Sequence, residues 1–480
     1  MKKIVCLLLA LIMAVSVFAG CTGSPENTNT SPAETGSSAS TGRTDNDTAS
    51  DSKGQSANPS DPQVSAELES LKASDKFTFG TWEQDGNGGK EPITWVVLRQ
   101  DVGKLFVITE KLLEFMPFKK GTDEEKYPKS LYKDSDLRSF LTGDFYNNAF
   151  TDAEKGMIQT TVIKTNYKDE SYNELTYETE DKVFALSKDE AARYVCGVGS
   201  IVYGVPTQRV ANENPYKMNS ISGVDGVEKA MSWWLRDMGV DSSKYAASIP
   251  AYTTRKYNNN DNVYDGGGVR PAMWIVYNAD EANGYAKGEV KPKEDEQLNA
   301  SIAALKIGSK LQFGVYDNNL YSMDGFDPLS WTVIDEDDDS FLILSDTNAG
   351  KSYSVFDNKK DADDTCWADS YLRSYINSDE FLDMSFSPQE RAKLILTHVT
   401  TSGEDDRSGG GDTDDLLFIP DVKDVEKYSS VFSININAKY WLRSQRSWAP
   451  YIAFASGNGS VSSSNPDKTY AIRLMARIKK

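Results

Sequence analysis

The chain carries one long passage twice. The run LKASDKFTFG from Leu71 returns at Leu305 as LKIGSKLQFG, keeping Leu, Lys, Lys, Phe and Gly at the same spacing. ITWVVL (Ile93 to Leu98) answers to LSWTVI (Leu329 to Ile334), SDLRSFL (Ser135 to Leu141) to DSYLRSYI (Asp369 to Ile376), and FTDAE (Phe150 to Glu154) to FSPQE (Phe386 to Glu390). WWLR (Trp233 to Arg236) then answers to YWLR (Tyr440 to Arg443), and VRPAM (Val269 to Met273) to IRLMA (Ile472 to Ala476). A duplication of this length restricts the fold to two domains of one architecture, each long enough for its own core. Residues kept by both copies mark what each domain needs in order to fold.

The first 63 residues stand outside this pattern. Lys2 and Lys3, an apolar run from Ile4 to Phe18 and the small residues Ala19 and Gly20 read as a signal peptide over 1–20, too short for a stable membrane span. Phe18-Ala19-Gly20-Cys21 resembles the lipobox of bacterial lipoproteins, with Phe in place of the usual Leu; that resemblance implies an acylated Cys21 as mature N-terminus and membrane anchor. Residues 21–63 are Ser, Thr, Asn, Gly, Asp and Pro with almost no apolar side chain, which predicts a disordered tether. At some 40 residues its coil dimension is roughly 35 Å. The expected address is the outer face of the bacterial cytoplasmic membrane, lipid-anchored, with the folded part extracytoplasmic. A net charge of -20 speaks against nucleic acid and anionic headgroups as partners, so the membrane is met through the anchor only.

The repeats divide the rest into a first domain over 64–278, a charged linker over 279–294 punctuated by Gly and Pro, and a second, degenerate domain over 295–480. Each opens on a short amphipathic helix (Val64 to Leu71; Leu298 to Leu305). A strand at Phe77 to Trp82 follows, then a hairpin of Ile93 to Arg99 with Lys104 to Thr109. Ser135 to Tyr146 reads as a helix, and Thr151 and Ser387 stand at capping-box spacing from Glu154 and Glu390. Asp181 to Leu186 reads as a strand entering a helix over Lys188 to Val195. Strands joined by turns outnumber strand–helix alternations, so the class is α+β with mainly antiparallel strands.

Trp95, Arg138, Trp234, Arg236 and Arg270, with their counterparts Trp331, Arg373, Trp441, Arg443 and Arg473, are kept by both copies and are expected in scaffold roles. In an extended WWLR, alternation places Trp234 and Arg236 on one face, suited to cation–π stacking or a buried ion pair. What lies between WLR and the closing Arg keeps only its composition. In the first copy it holds Tyr245, Tyr252, Tyr257, Asn259, Asp261 and Tyr264; in the second, Trp448, Tyr451 and Asn458. Tyr, Asn, Ser and Gly are the vocabulary of adaptable recognition loops, so these nine residues are the ligand-binding candidates.

Taken together, FG, W-x-V-L, LR, F-x-x-x-E, the D-K-V-F-x-L-S run (Asp181 to Ser187), WWLR and GVRPA (Gly268 to Ala272) resemble a bacterial family, domain of unknown function 6273, across both repeats. The second copy departs at Tyr440, which replaces the first Trp, and at Leu474, which replaces Pro271. WLR, a variable loop and an Arg-bearing strand also look like the ending of the C-type lectin-like fold of sugar-binding and formylglycine-generating-type proteins. That resemblance implies two tandem lectin-like domains whose ligand face is formed by 237–268 and 444–471.

The expected function is non-enzymatic binding of an extracellular glycan, cell-wall polymer or protein, with duplication raising avidity. The alternative is an extracytoplasmic enzyme of formylglycine-generating-like or carboxylate-based hydrolase type. No catalytic residue is assigned. The single His, His398, answers to Val162, so a His-dependent centre is no property of the domain, and Cys196 and Cys366 are solitary in their copies. No cofactor or metal site is assigned; calcium is the one ion considered, through Glu213-Asn214-Pro215, Asp335 to Asp339 and Asp361 to Asp364.

Overall fold

The computed structural model describes residues 62–121, 131–168, 174–196, 198–239, 244–251, 258–316, 326–346, 354–357, 365–402, 411–432, 439–446 and 451–480. The signal peptide, Cys21, all but the end of the tether, and Asp361 to Asp364 lie outside them. Among the described residues no helix is long and apolar enough to cross a membrane.

Each repeat is α+β. The first builds an antiparallel sheet from Lys76–Trp82, Glu91–Asp101, Lys104–Thr109 and Ala272–Val276, in that order. Its second sheet runs Asn258–Asn262, Tyr245–Ile249, Trp233–Met238, Gly266–Val269, Glu114–Pro117. The second repeat repeats the first sheet with Lys310–Tyr316, Asp327–Glu336, Ser340–Ser345 and Met475–Lys479, adding Leu394–Ile395 at the edge. Tyr440–Gln445, Ile452–Ala455 and Val461–Ser464 form its three-stranded counterpart of the other sheet.

The closing segment of the first repeat serves both sheets. Gly266–Val269 pairs in one and Ala272–Val276 in the other, and the break falls at Arg270-Pro271, where proline removes a ladder donor. Buried apolar side chains gather into one large cluster per repeat, with Trp95 and Trp233 in the first and Trp331 and Trp441 in the second, and a small third cluster of Val227, Ala230 and Ala251 lies in the first repeat.

The FG and F-x-x-x-E motifs prove to be one device. Gly80 and Gly314 sit at φ +69° and +76°, in the left-handed region, and a Cβ on either would lie 2.6 Å from the ring of Phe150 or Phe386. Their amides donate to Glu154 (2.9 Å) and Glu390 (2.7 Å). These same glutamates close capping boxes with Thr151 and Ser387. Each glutamate thus ties the first strand to a helix distant in sequence.

Some expected boundaries shift. The helix from Ser135 is continuous only through a π turn at Leu141–Phe145. The strand expected at 181–186 ends at Asp181; beyond it only Phe184 bridges to Ala272. Segment 279–294 opens with a helix, Ala279–Ala286, seated on the first repeat: Tyr277 and Asn278 donate backbone N–H groups to the carbonyl of Gly103. Charge and glycine content hid this helix because its stability comes from docking.

The repeats touch through the Asp379–Ser385 helix of the second. Its last carbonyls have no partner within the helix, and two arginines of the first repeat supply donors. Arg99 bonds the carbonyl of Asp383, and Arg193 that of Met384 at 2.8 Å. Lys164 and Glu380 pair at 3.4 Å.

Candidate functional site

Every residue of the strand Trp233–Met238 is buried, and each long side chain of WWLR has an internal partner. The Trp233 indole donates to the carbonyl of Val202, and its ring lies 5.2 Å from the Arg270 guanidinium. Trp234 donates to the carbonyl of Met116 at 2.9 Å. Arg236 forks onto Glu190, Nη2 to Oε1 at 2.9 Å, and bonds the carbonyls of Lys164 and Ala185. Glu190 also closes the capping box of the next helix with Ser187. In the second repeat Arg443 meets Asp424 at 2.7 Å, and Asp424 closes the capping box with Asp421.

The cation–π contact falls elsewhere than alternation suggests. Arg236 lies over Phe184 at 5.7 Å, and Arg443 over Phe418 at 5.6 Å. The ring that takes an arginine in the WWLR strand is Trp233. Burial lowers the Arg270 guanidinium to about 9, still cationic at neutral pH, where the carbonyls of Thr109, Ile201 and Glu110 accept its protons. Arg473 bonds the carbonyl of Ser345, and Arg138 and Arg373 grip Asp181 and Asp415, carboxylates that are fully buried. Trp95 and Trp331 donate to the carbonyls of Phe79 and Phe313.

The stretch expected as a polar loop contains two further strands. Tyr245–Ile249 pairs with the WWLR strand, and Asn258–Asn262 pairs with Tyr245–Ile249. Asn and Asp are scarce in strands generally, so backbone pairing here runs against composition.

Against these strands the first repeat holds a cavity of about 280 Å³. Trp234 and Phe115 line it, and Ser248, Asp261, Asp265 and Asn219 bring oxygen and amide groups to it. Tyr216, 98% exposed, stands at the edge beside Lys217. Asn258 donates to Asp261 at 2.6 Å, and the hydroxyl of Ser248 bonds the same carboxylate. The space exists because two positions are small. Ser248 lies directly opposite Trp234 across the ladder, and a Cβ on Gly267 would come within 2.6 Å of the Trp234 indole.

Both positions are aromatic in the second repeat. Opposite Trp441 stands Phe454, and Tyr470 takes the place of Gly267. The Tyr470 ring is 4.6 Å from Trp441 and 4.8 Å from Phe454. Its hydroxyl donates to Ser464, which occupies the ladder position of Asp261. The second repeat fills with its own side chains the place that is open in the first.

Of the candidate binding residues, Asp261 lines the cavity and Asn259 lies in the same strand. Tyr245 pairs with Asn262 farther along the ladder, and Tyr264 packs against the first core. Tyr451 is 39% exposed, and Asn458 accepts from Ser460 in a tight turn. Tyr252, Tyr257 and Trp448 lie outside the described residues. Gly267, Ser248, Asp265 and Phe115 were not singled out from sequence, although Gly267 against Tyr470 was visible in the repeat comparison.

Of the carboxylates considered for calcium, the described Asp335, Asp337 and Glu213 are engaged internally. Asp335 accepts from Lys427 and Tyr428, Asp337 from Ser340 and Arg477, and Glu213 pairs with Arg209. Among the described residues no group of three or more His, Cys, Asp or Glu is placed to hold a metal ion. Cys196 and Cys366 are buried, and the Cys366 thiol donates to Asp369. His398 lies between Asp414 and Asp412, whose hydrogen bonds raise its pKa.

The family model of DUF6273, a domain of unknown function, matches residues 95–277 and again 338–480. No curated protein and no solved structure matches the chain.

Proposed function

We propose, for a chain that belongs to the DUF6273 family and carries its domain in two tandem copies, a role as a cell-surface binding lipoprotein whose first repeat takes an extracellular glycan or wall polymer. The signal peptide, the acylated Cys21 and the polar tether hold two lectin-like domains clear of the outer face of the membrane. The observation that carries the reading is the contrast between the repeats at one place. Where the first has Gly267 and Ser248 beside Trp234, the second has Tyr470 and Phe454 against Trp441.

The chemistry of the open cavity suits a sugar. Sugar rings present an apolar face to aromatic side chains and hydroxyl groups to acceptors, and here Phe115 and Trp234 line one cavity with Asp261, Asp265, Ser248 and Asn219. The second repeat then acts as a spacer or a platform for the first, and the gain in avidity expected from duplication does not apply to this ligand.

The test is a binding screen of the full chain carrying Cys21→Ser, against soluble wall fragments and a glycan panel. Saturable binding that disappears in Asp261→Ala, with the fold intact by circular dichroism, supports the reading. Binding that survives in Asp261→Ala, or hydrolysis of the bound glycan, overturns it. Cys21→Ser is itself expected to release the protein from membranes.

A further inference from the structure

A second cavity, of about 540 Å³, lies between the repeats. Its walls are unlike those of the first-repeat cavity. Phe184 and Trp274 come from the first repeat, and Tyr316, Phe326, Tyr375 and Phe381 from the second. Val162, 56% exposed, adds an aliphatic rim. This size and aromatic content fall in the range of small-molecule sites.

The charges around it are unbalanced. Asp189, Glu190, Asp379, Glu380 and Asp383 line the cavity, against Lys164 and Arg236. Both cations are already engaged, Arg236 by Glu190 and Lys164 by Glu380. Arg193, which lies 5.5 Å from the Phe326 ring, donates to the carbonyl of Met384. Asp379 and Asp383 share Arg391, which leaves Asp189 with no hydrogen-bond or ion-pair partner among the described residues. Asp189 lines the cavity with its side chain exposed, and its charge joins burial and Tyr316 in raising the pKa of the Tyr375 hydroxyl. An anion entering here finds every lining cation taken; a cation finds a carboxylate and several ring faces.

We infer that the cavity between the repeats is a second binding site, for a small organic cation with a flat aromatic body, held by Asp189 on one repeat and by Phe326, Tyr375 and Phe381 on the other. Because both repeats contribute, the bound molecule fastens their contact. The site is independent of the glycan reading, which concerns residues of the first repeat alone.

Two probes with one ring system separate charge from shape: tryptamine, a cation, and indole-3-propionate, an anion. With the full chain carrying Cys21→Ser, calorimetry is expected to show saturable one-to-one binding of tryptamine, and binding of indole-3-propionate weaker by about tenfold or more. Asp189→Lys is expected to weaken tryptamine by about tenfold, and Phe326→Ala to weaken both probes. Hydrogen-exchange protection by tryptamine is expected over 161–166 and 375–385. No saturable tryptamine binding, equal binding of the two probes, an Asp189→Lys chain that binds as before, or protection over 258–268 instead would each overturn the proposal.

Discussion

The ring of Tyr470 lies 4.6 Å from that of Trp441, in the place where the first repeat sets Gly267 against Trp234. The residue type at this ladder position therefore decides whether the repeat fills the space beside its tryptophan with a side chain of its own. The rest of the WWLR strand is the same in both: buried throughout, with its arginine held by the third residue of a capped helix.

The two repeats should be interconvertible at this place. Gly267→Tyr is expected to abolish ligand binding by the first repeat, at a stability cost of about 1–3 kcal/mol because its Cβ falls 2.6 Å from the Trp234 indole, which must shift. The reverse pair, Tyr470→Gly with Phe454→Ser, should open the second repeat at a cost of about 3–5 kcal/mol or more for the lost aromatic packing. Isothermal calorimetry on the glycan found in the screen, with urea denaturation alongside, reads both.

Arg236→Met leaves Glu190 without its buried counter-ion. The expected loss is about 3–5 kcal/mol, seen as a lower urea midpoint. Arg236→Lys should restore little of it, because an ammonium cannot supply the fork that meets both oxygens of Glu190 and the carbonyls of Lys164 and Ala185. A loss under about 1 kcal/mol for the Met variant would mean the pair does not hold the repeat together.

Gly80→Ala and Gly314→Ala should behave alike, since both glycines are left-handed and both lie 2.6 Å, at the added Cβ, from a phenylalanine ring. Backbone strain and overpacking together predict about 2–4 kcal/mol each. A cost confined to one of the two would show that the glutamate-tied strand has a different weight in each repeat.

Acid should act partly through Asp335. Hydrogen bonds from Lys427 and Tyr428 lower its carboxyl to about 2, against about 3.9 in an unfolded chain. A folded value below the unfolded one stabilises fully above about pH 4, and the contribution is lost as pH falls towards 2. The wild type is expected to lose more stability between pH 5 and pH 3 than Asp335→Asn, measured as the shift in urea midpoint. Equal losses would assign acid sensitivity to other carboxylates.

Much of the scaffold was legible because duplication repeats whatever folding requires. Gly80 with Gly314 and Glu154 with Glu390 recur because each pair meets a backbone demand that few other residues meet. The added strands Tyr245–Ile249 and Asn258–Asn262 were not legible, since their polar composition reads as loop and only pairing with the WWLR strand makes them strands. The helix over 279–286 was hidden in the same way. Asp261 is legible as a polar candidate, whereas Gly267 is indistinguishable from its neighbours in a glycine run.

The amino-acid sequence by itself determined that this protein has two domains of one α+β kind, and which arginines and tryptophans both of them keep. Tertiary structure alone decided that those arginines turn to carboxylates, in capping boxes for Arg236 and Arg443, and to backbone carbonyls. It decided also that Ser248 and Gly267 meet at Trp234, and that residues of both repeats enclose a cavity of about 540 Å³. The physical reason is range. Periodicity and repetition report what lies near along the chain, while a cavity is made by side chains that are small or turned aside at positions far apart in it.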